Sequence, residues 1–267
     1  MTAAKSVTVP SLAAMKADNR PIVMLTTYDA SFAQRVDEAG VDVVLVGDSL
    51  GNVIQGRDST LPVTVDDMVY HTRAVKNGLS RALLVTDLPF MSYHDRDSAM
   101  RSARAVMQAG AQMVKLEGGA AHAPVVSAMV DNGIPVCAHL GLTPQHVHQL
   151  GGYRVQGRDQ GPAEQLKSDA RALAGVGAGL LVLECVPTGL AAEVAGMLDI
   201  PVIGIGAGVD VDGQVLVIYD MLGISSGRMP KFVKNFMPEG GDVPRALVAY
   251  VDAVRERRFP TDEHSWR

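Results

Sequence analysis

The feature that most constrains this chain is a segment that recurs: a helix end, a glycine, a small residue, then a run of apolar residues. It appears as Glu38-Ala-Gly-Val-Asp-Val-Val-Leu-Val46, as Gln108-Ala-Gly-Ala-Gln-Met-Val-Lys-Leu116 and as Val176-Gly-Ala-Gly-Leu-Leu-Val-Leu183. Apolar runs without alternation suit strands covered on both faces, as in a parallel sheet. A helix–glycine–strand unit that repeats is the trace of βα repetition. Strand-like runs lie near residues 23, 43, 82, 112, 135, 180, 202 and 215. Eight strands with intervening helices predict an α/β fold, a (β/α)8 TIM barrel. Residues 1–267 are expected to form one such domain, with a short helix around Leu12–Ala17 as an N-terminal extension. A doubly wound open sheet is the alternative, disfavoured because no Gly-x-Gly-x-x-Gly turn follows the first strand.

The strand tips carry residues that a core strand does not need. Val43-Val-Leu-Val46 is followed by Gly47, Asp48, Ser49 and later Gly51; Asp87 closes the strand from Ala82. Lys115 and Glu117 end the next, and His139 and Glu184 end the two after that. The last strand is read as Val215–Tyr219 with Asp220 at its tip. In a parallel barrel all these tips share one face, so the carboxylates would crowd one mouth and repel unless cations offset them. An oxygen-rich cluster with little His and no Cys suits a hard ion such as Mg2+. Each residue also has a plainer reading. Asp48 could cap a helix, Asp87 could form a turn, and Lys115 could pair with Glu117, which shares its face of the strand. His139 alone reads as a supporting residue and Asp220 as a structural pair or cap. Glu184, at a buried tip, is expected to have a raised pKa and act as a base. Gly204–Gly208 could hold phosphate, though a glycine tip is weak evidence. His146 and His148 lie in a long Leu142–Gly161 excursion and read as solvated; a helix is expected from Gln165 to Gly175.

Composition removes several classes. A net charge of −5 argues against a nucleic-acid surface. No apolar run approaches the ~20 residues of a membrane span, and Met1–Pro10 lacks the apolar core of a secretory signal. Cys137 and Cys185 sit in apolar runs and read as buried free thiols of a cytoplasmic protein.

Longer runs carry a resemblance. Leu45-Val-Gly-Asp-Ser-Leu-Gly51, Gly56-Arg-Asp-Ser-Thr-Leu-Pro-Val63, Asp87-Leu-Pro-Phe-Met91, Val114-Lys-Leu-Glu-Gly-Gly119 and His139-Leu-Gly-Leu-Thr-Pro-Gln145 are similar to the 3-methyl-2-oxobutanoate hydroxymethyltransferase family. So are Gly151–Arg158, Leu183-Glu-Cys-Val-Pro187, Pro201–Gly208 and Lys231–Phe236. The resemblance implies a barrel of the phosphoenolpyruvate-mutase/isocitrate-lyase type, assembled as a homo-oligomer, a decamer. It implies transfer of a one-carbon unit from 5,10-methylenetetrahydrofolate to C3 of 3-methyl-2-oxobutanoate (α-ketoisovalerate) through a Mg2+-stabilised enolate, giving ketopantoate for pantothenate biosynthesis. Asp48 and Asp87 would be Mg2+ ligands, with Glu117 beside the ion through water. Ser49 and Lys115 would hold the oxo-acid carboxylate, Glu184 would be the catalytic base, and His139 would support it. The Leu142–Gly161 loop could close over the mouth. A Schiff-base aldolase on Lys115, a folate-independent lyase and a non-catalytic binding barrel are the competing readings.

Overall fold

The apolar runs form strands and the amphipathic stretches between them form helices. In the computed structural model, which describes residues 6–227 and 229–267, helix α1 (Val9–Ala17) precedes β1 (Ile22–Thr26), and α2 (Ala30–Glu38) leads to β2 (Val43–Val46). Helices α3 (Leu50–Val53) and α4 (Val65–Lys76) precede β3 (Leu83–Asp87), α5 (Arg96–Ala109) precedes β4 (Met113–Glu117), and α6 (Ala123–Asp131) precedes β5 (Val136–Gly141). Then come α7 (Val147–Leu150), α8 (Gln160–Gly175), β6 (Leu180–Glu184), α9 (Thr188–Met197), β7 (Val202–Ile205) and β8 (Gly213–Leu216). Short α10 (Ile218–Met221) and α11 (Met237–Gly240) lead to α12 (Val243–Arg255). Among the described residues the eight strands pair in parallel, in sequence order, and close into a barrel. Closure runs through Ile22 opposite Gly213. A Cβ at Gly213 would lie 2.3 Å from the Ile22 carbonyl oxygen, so only glycine lets β8 reach β1.

Several element ends differ from the sequence expectation: α1 begins at Val9 rather than Leu12, and two further differences have a visible cause. β8 stops at Leu216, because the Ile218 amide turns to donate to Thr26 Oγ1 at 3.0 Å and starts a short helix. Asp220 therefore lies within α10, not on a strand tip. Helix α8 begins at Gln160, five residues before the expected Gln165. Pro162 falls in its first turn, where a missing N–H costs no helical bond.

The floor of the barrel is tied by side chains that precede strands. Asp42, just before β2, accepts from the Val23 amide of β1 at 2.9 Å. Gln112, before β4, accepts from Leu84 of β3 at 3.1 Å, and Asp212, before β8, accepts from Val202 of β7 at 2.8 Å. Each covers a strand-start N–H that would otherwise lack a partner. Asp42 also meets Arg255 of α12 at 2.6 Å and Arg81 at 3.5 Å, and Asp212 meets Lys16 of α1 at 2.7 Å. With Leu12 and Met15 buried, α1 packs across this end. The opposite end, where the strands finish, is left open for chemistry.

Candidate active site

Strand register assembles the site. Asp87 of β3 lies opposite Lys115 of β4, Glu117 of β4 opposite His139 of β5, and Gly141 of β5 opposite Glu184 of β6. Neighbouring residues in register share a face, so groups far apart in the chain become contacts. Lys115 Nζ donates to Asp87 Oδ1 at 2.5 Å. Asp87 Oδ2 accepts from the Asp48 backbone amide at 3.0 Å. His139 sits between two acids, Nδ1 3.3 Å from Glu117 Oε1 and Nε2 3.3 Å from Glu184 Oε2. Those pairs have ionic proximity but lack hydrogen-bond angles, so Glu117 Oε1 and both imidazole nitrogens are buried without a hydrogen-bond partner. The structure thus brings Asp48, Asp87, Lys115, Glu117, His139 and Glu184 to one mouth. Ser49 lies on its rim, 2.9 Å from the Tyr28 hydroxyl.

The charges are set by burial and by each other. Burial and the charges of Asp87 and Glu117 push the Asp48 carboxyl well above the usual carboxylate range. Burial works to deprotonate Lys115, but the charges of Asp87, Glu117 and Asp48 outweigh it and hold the ammonium protonated. Burial also acts to raise Glu117; its contacts with His139 and Lys115 outweigh that and lower it. For His139, burial and Lys115 act downward, while Glu117 and Glu184 outweigh them and carry the imidazole up to about 9.

Several expectations change in detail. Asp48 is not a cap: Ser49 holds the N-cap position of α3, and Asp48 Oδ2 accepts from Gln145 Nε2 at 2.8 Å. Lys115 pairs with Asp87, not Glu117, because the cross-strand register brings Asp87 to it. Glu184, expected at a buried tip, is partly open to solvent: its side chain is 14% exposed and faces His139. Asp220 accepts from Ser225 Oγ at 2.5 Å, the structural pairing expected of it. His146 is half-buried with Nδ1 unpartnered, while His148 is exposed.

The residue reading missed Gln145 and Tyr93. Gln145 Nε2 also donates to the Leu88 carbonyl at 3.0 Å, and its backbone amide donates to Glu117 Oε2 at 2.9 Å. Its Oε1 accepts from the Tyr93 hydroxyl at 2.6 Å. One loop residue therefore holds both Asp48 and Glu117. The Leu142–Gly161 segment delivers it, anchored by Leu142 N to Glu184 O at 2.8 Å and Gln156 N to Cys185 O at 2.9 Å.

The donor set fits a hard divalent cation. Among the described residues no three His, Cys, Asp or Glu side chains form a preformed cage. Mg2+, however, is commonly held by one or two carboxylates, with substrate and water completing its octahedron. Asp48 and Asp87 are such a pair, and the unsatisfied Glu117 Oε1 is an acceptor for a coordinated water. Four carboxylates face two cations here, an excess of two negative charges if all are ionised.

A closed parallel barrel with buried acids and bases gathered at the strand ends is a (β/α)8 enzyme barrel, the fold also found in the phosphoenolpyruvate-mutase/isocitrate-lyase superfamily. The chain superposes on 2,3-dimethylmalate lyase, a member of that superfamily, with TM-score 0.59 and 18% identity, covering 80% of this chain and 82% of that one. It also superposes on phosphonopyruvate hydrolase in complex with oxalate and Mg2+, with TM-score 0.62 and 11% identity, over 97% and 93% of the two chains. Identities that low bear on fold alone. Sequence goes further: the 3-methyl-2-oxobutanoate hydroxymethyltransferase of Ralstonia pickettii (strain 12J) is 56% identical over 98% of this chain and 96% of its own length. The chain belongs to the ketopantoate hydroxymethyltransferase family, whose model matches residues 6–262. It is a transferase.

Proposed function

We propose that this enzyme forms ketopantoate by transferring a hydroxymethyl group from 5,10-methylenetetrahydrofolate to C3 of 3-methyl-2-oxobutanoate, with Mg2+ held by Asp48 and Asp87 and, through water, by Glu117. The observation that carries the reading is the single buried cluster at the mouth, which with every acid ionised is two positive charges short of balance. A divalent cation bound there would supply Lewis-acid polarisation of the 2-oxo group. The chain's own residues do the rest. Ser49 and the protonated Lys115 bind the oxo-acid carboxylate. Glu184 accepts the C3 proton, and His139, close to its Oε2, fixes the direction of that carboxylate. Water adds to the methylene carbon of the folate, whose C–N bonds break to release tetrahydrofolate and formaldehyde. Carbon C3, left with the electron pair, attacks the formaldehyde carbon, whose oxygen takes up a proton to become the hydroxyl of the new hydroxymethyl group. Gln145 keeps Asp48 and Glu117 in place throughout.

The Schiff-base alternative asks Lys115 to be a neutral amine, whereas three acids hold it charged. Assembly as a decamer in the cytoplasm belongs to the same proposal; no helix among the described residues is long and apolar enough to cross a membrane. The test is product formation followed by mass spectrometry with Mg2+, oxo acid and methylenetetrahydrofolate, omitting each in turn. Ketopantoate is expected only from the complete mixture. Turnover that survives EDTA, or proceeds without folate, would overturn the reading.

A further inference from the structure

The mouth has two unlike halves. The acid–base cluster occupies the ends of β2 to β6, whereas the segment that follows β8, from Val217 through Asp220 to Phe232 among the described residues, and Trp266 border a large cavity of about 1430 Å³ that Ser49 and Glu184 also line. Pockets for drug-sized ligands run to roughly 300–1,000 Å³, and a five-carbon oxo acid fills far less. The walls of the spare space are Tyr219, Ile224, Phe232 and Trp266, with Asp220 among them.

We propose that this half of the mouth seats the pterin ring of the folate, with the Asp220 carboxylate accepting from the ring's 2-amino group and N3–H. The inference rests on the folate donor proposed above and assigns where it binds. A 2-amino-4-oxopteridine presents those two donors side by side on one edge. A carboxylate offers two acceptor oxygens in the matching geometry, as it does to a guanidinium. Asp220 is half-buried, and Ser225 engages only its Oδ1; among the described residues Oδ2 has no hydrogen-bond partner. Burial raises its carboxyl above the ordinary range, a cost that two ligand donors would offset.

The flat face of the ring has its counterpart in Trp266. That indole crosses Phe232 with centroids 6.2 Å apart, and its backbone carbonyl accepts from the Thr188 amide at 2.9 Å. The glycine run at the tip of β7 makes room for this wall. A Cβ at Gly206, where φ is +63, would lie 2.5 Å from the Trp266 ring and 3.0 Å from Phe232. The run that could have read as a phosphate cradle is the footing of an aromatic surface. Such a surface with one well-placed acceptor is the usual make-up of a site for a flat heterocycle.

Trp266 is the sole tryptophan of the chain and so reports on its own site. Titrating the intact enzyme with tetrahydrofolate is expected to quench its emission to saturation. Asp220→Asn, which turns one acceptor into a donor, is expected to raise the dissociation constant and the KM for methylenetetrahydrofolate at least tenfold. The oxo-acid dissociation constant should move less than twofold. A second arm needs no variant: 2-desamino-2-methyltetrahydrofolate should bind the wild type at least tenfold more weakly than tetrahydrofolate, and the two should differ little on Asp220→Asn. If the wild type turns over with folate but neither the variant nor the analogue weakens binding, the subsite is wrong and the proposed reaction stands. If no folate supports turnover at all, the reaction falls and takes the subsite with it.

Discussion

Replacing His139 with glutamine removes the one imidazole that faces both Glu117 and Glu184. The His139 side chain is 3% exposed, so solvent screens these contacts little. Its folded-state pKa, about 9, lies above the ordinary value of 6.5. Protonation therefore stabilises the fold fully below pH 6.5, and that contribution fades as pH rises through about 9. At ~1.36 kcal/mol for each tenfold change in acidity, the gap amounts to about 3 kcal/mol at pH 6, about 2 kcal/mol at pH 7.5 and under about 0.5 kcal/mol at pH 9.5. The upper figure meets the lower edge of the ~3–5 kcal/mol typical of a broken buried ion pair. The assay is urea unfolding of wild type and His139→Gln across that pH range, in EDTA so that no cation competes for Glu117. Taking the difference between the proteins cancels every other titrating group that behaves alike in both. A difference that stays constant within about 0.5 kcal/mol from pH 6 to 9.5 would mean the His139 pKa is not raised in the fold, and the account of the cluster's charge would fail.

Glu184→Gln should lower kcat by roughly 10²–10⁴ while the oxo acid still binds, as isothermal titration can read; near-normal turnover would remove Glu184 as the base. Gln145→Ala removes the side-chain donor to the Asp48 carboxylate and the Leu88 carbonyl, and leaves the Tyr93 hydroxyl only its bonds to the Glu117 backbone. It should cost about 1–3 kcal/mol or more in unfolding free energy and weaken Mg2+ binding measured by titration. Lys115→Met leaves Asp87 buried and unpaired, so chemical denaturation should show a loss of ~3–5 kcal/mol. Borohydride added to wild type with oxo acid should leave the intact mass unchanged, since a stable adduct would revive the Schiff base. In Gly141→Ala the new Cβ would sit 2.2 Å from the Glu184 carbonyl oxygen at a φ of +90; activity and the thermal midpoint should both fall, and a variant matching wild type in both would contradict the packing at that strand pair.

The barrel and most of the mouth were legible in the sequence because burying a charge is costly. An acid or base at the end of a purely apolar run is conspicuous, and Asp48, Asp87, Lys115, Glu117, His139 and Glu184 all announced themselves that way. Their pairings were not legible. Separation along one strand suggested Lys115 with Glu117, whereas register across strands decided for Asp87. Gln145 and Tyr93 escaped because a neutral side chain in a loop leaves no signature of cost, although Gln145 ends one of the family runs. Asp220 was misplaced because Val217-Ile218-Tyr219 reads as strand, and only the Thr26 hydroxyl shows where the chain turns.

The side-chain ties beneath the strands have a consequence for descent. Asp42, Gln112 and Asp212 secure closure at the end away from the reacting groups, and they do so without involving the upper loops. Lineages can therefore exchange the residues that choose a substrate while the staves of the cask stay hooped. Distant barrels of very different sequence could then share this shape yet catalyse other reactions.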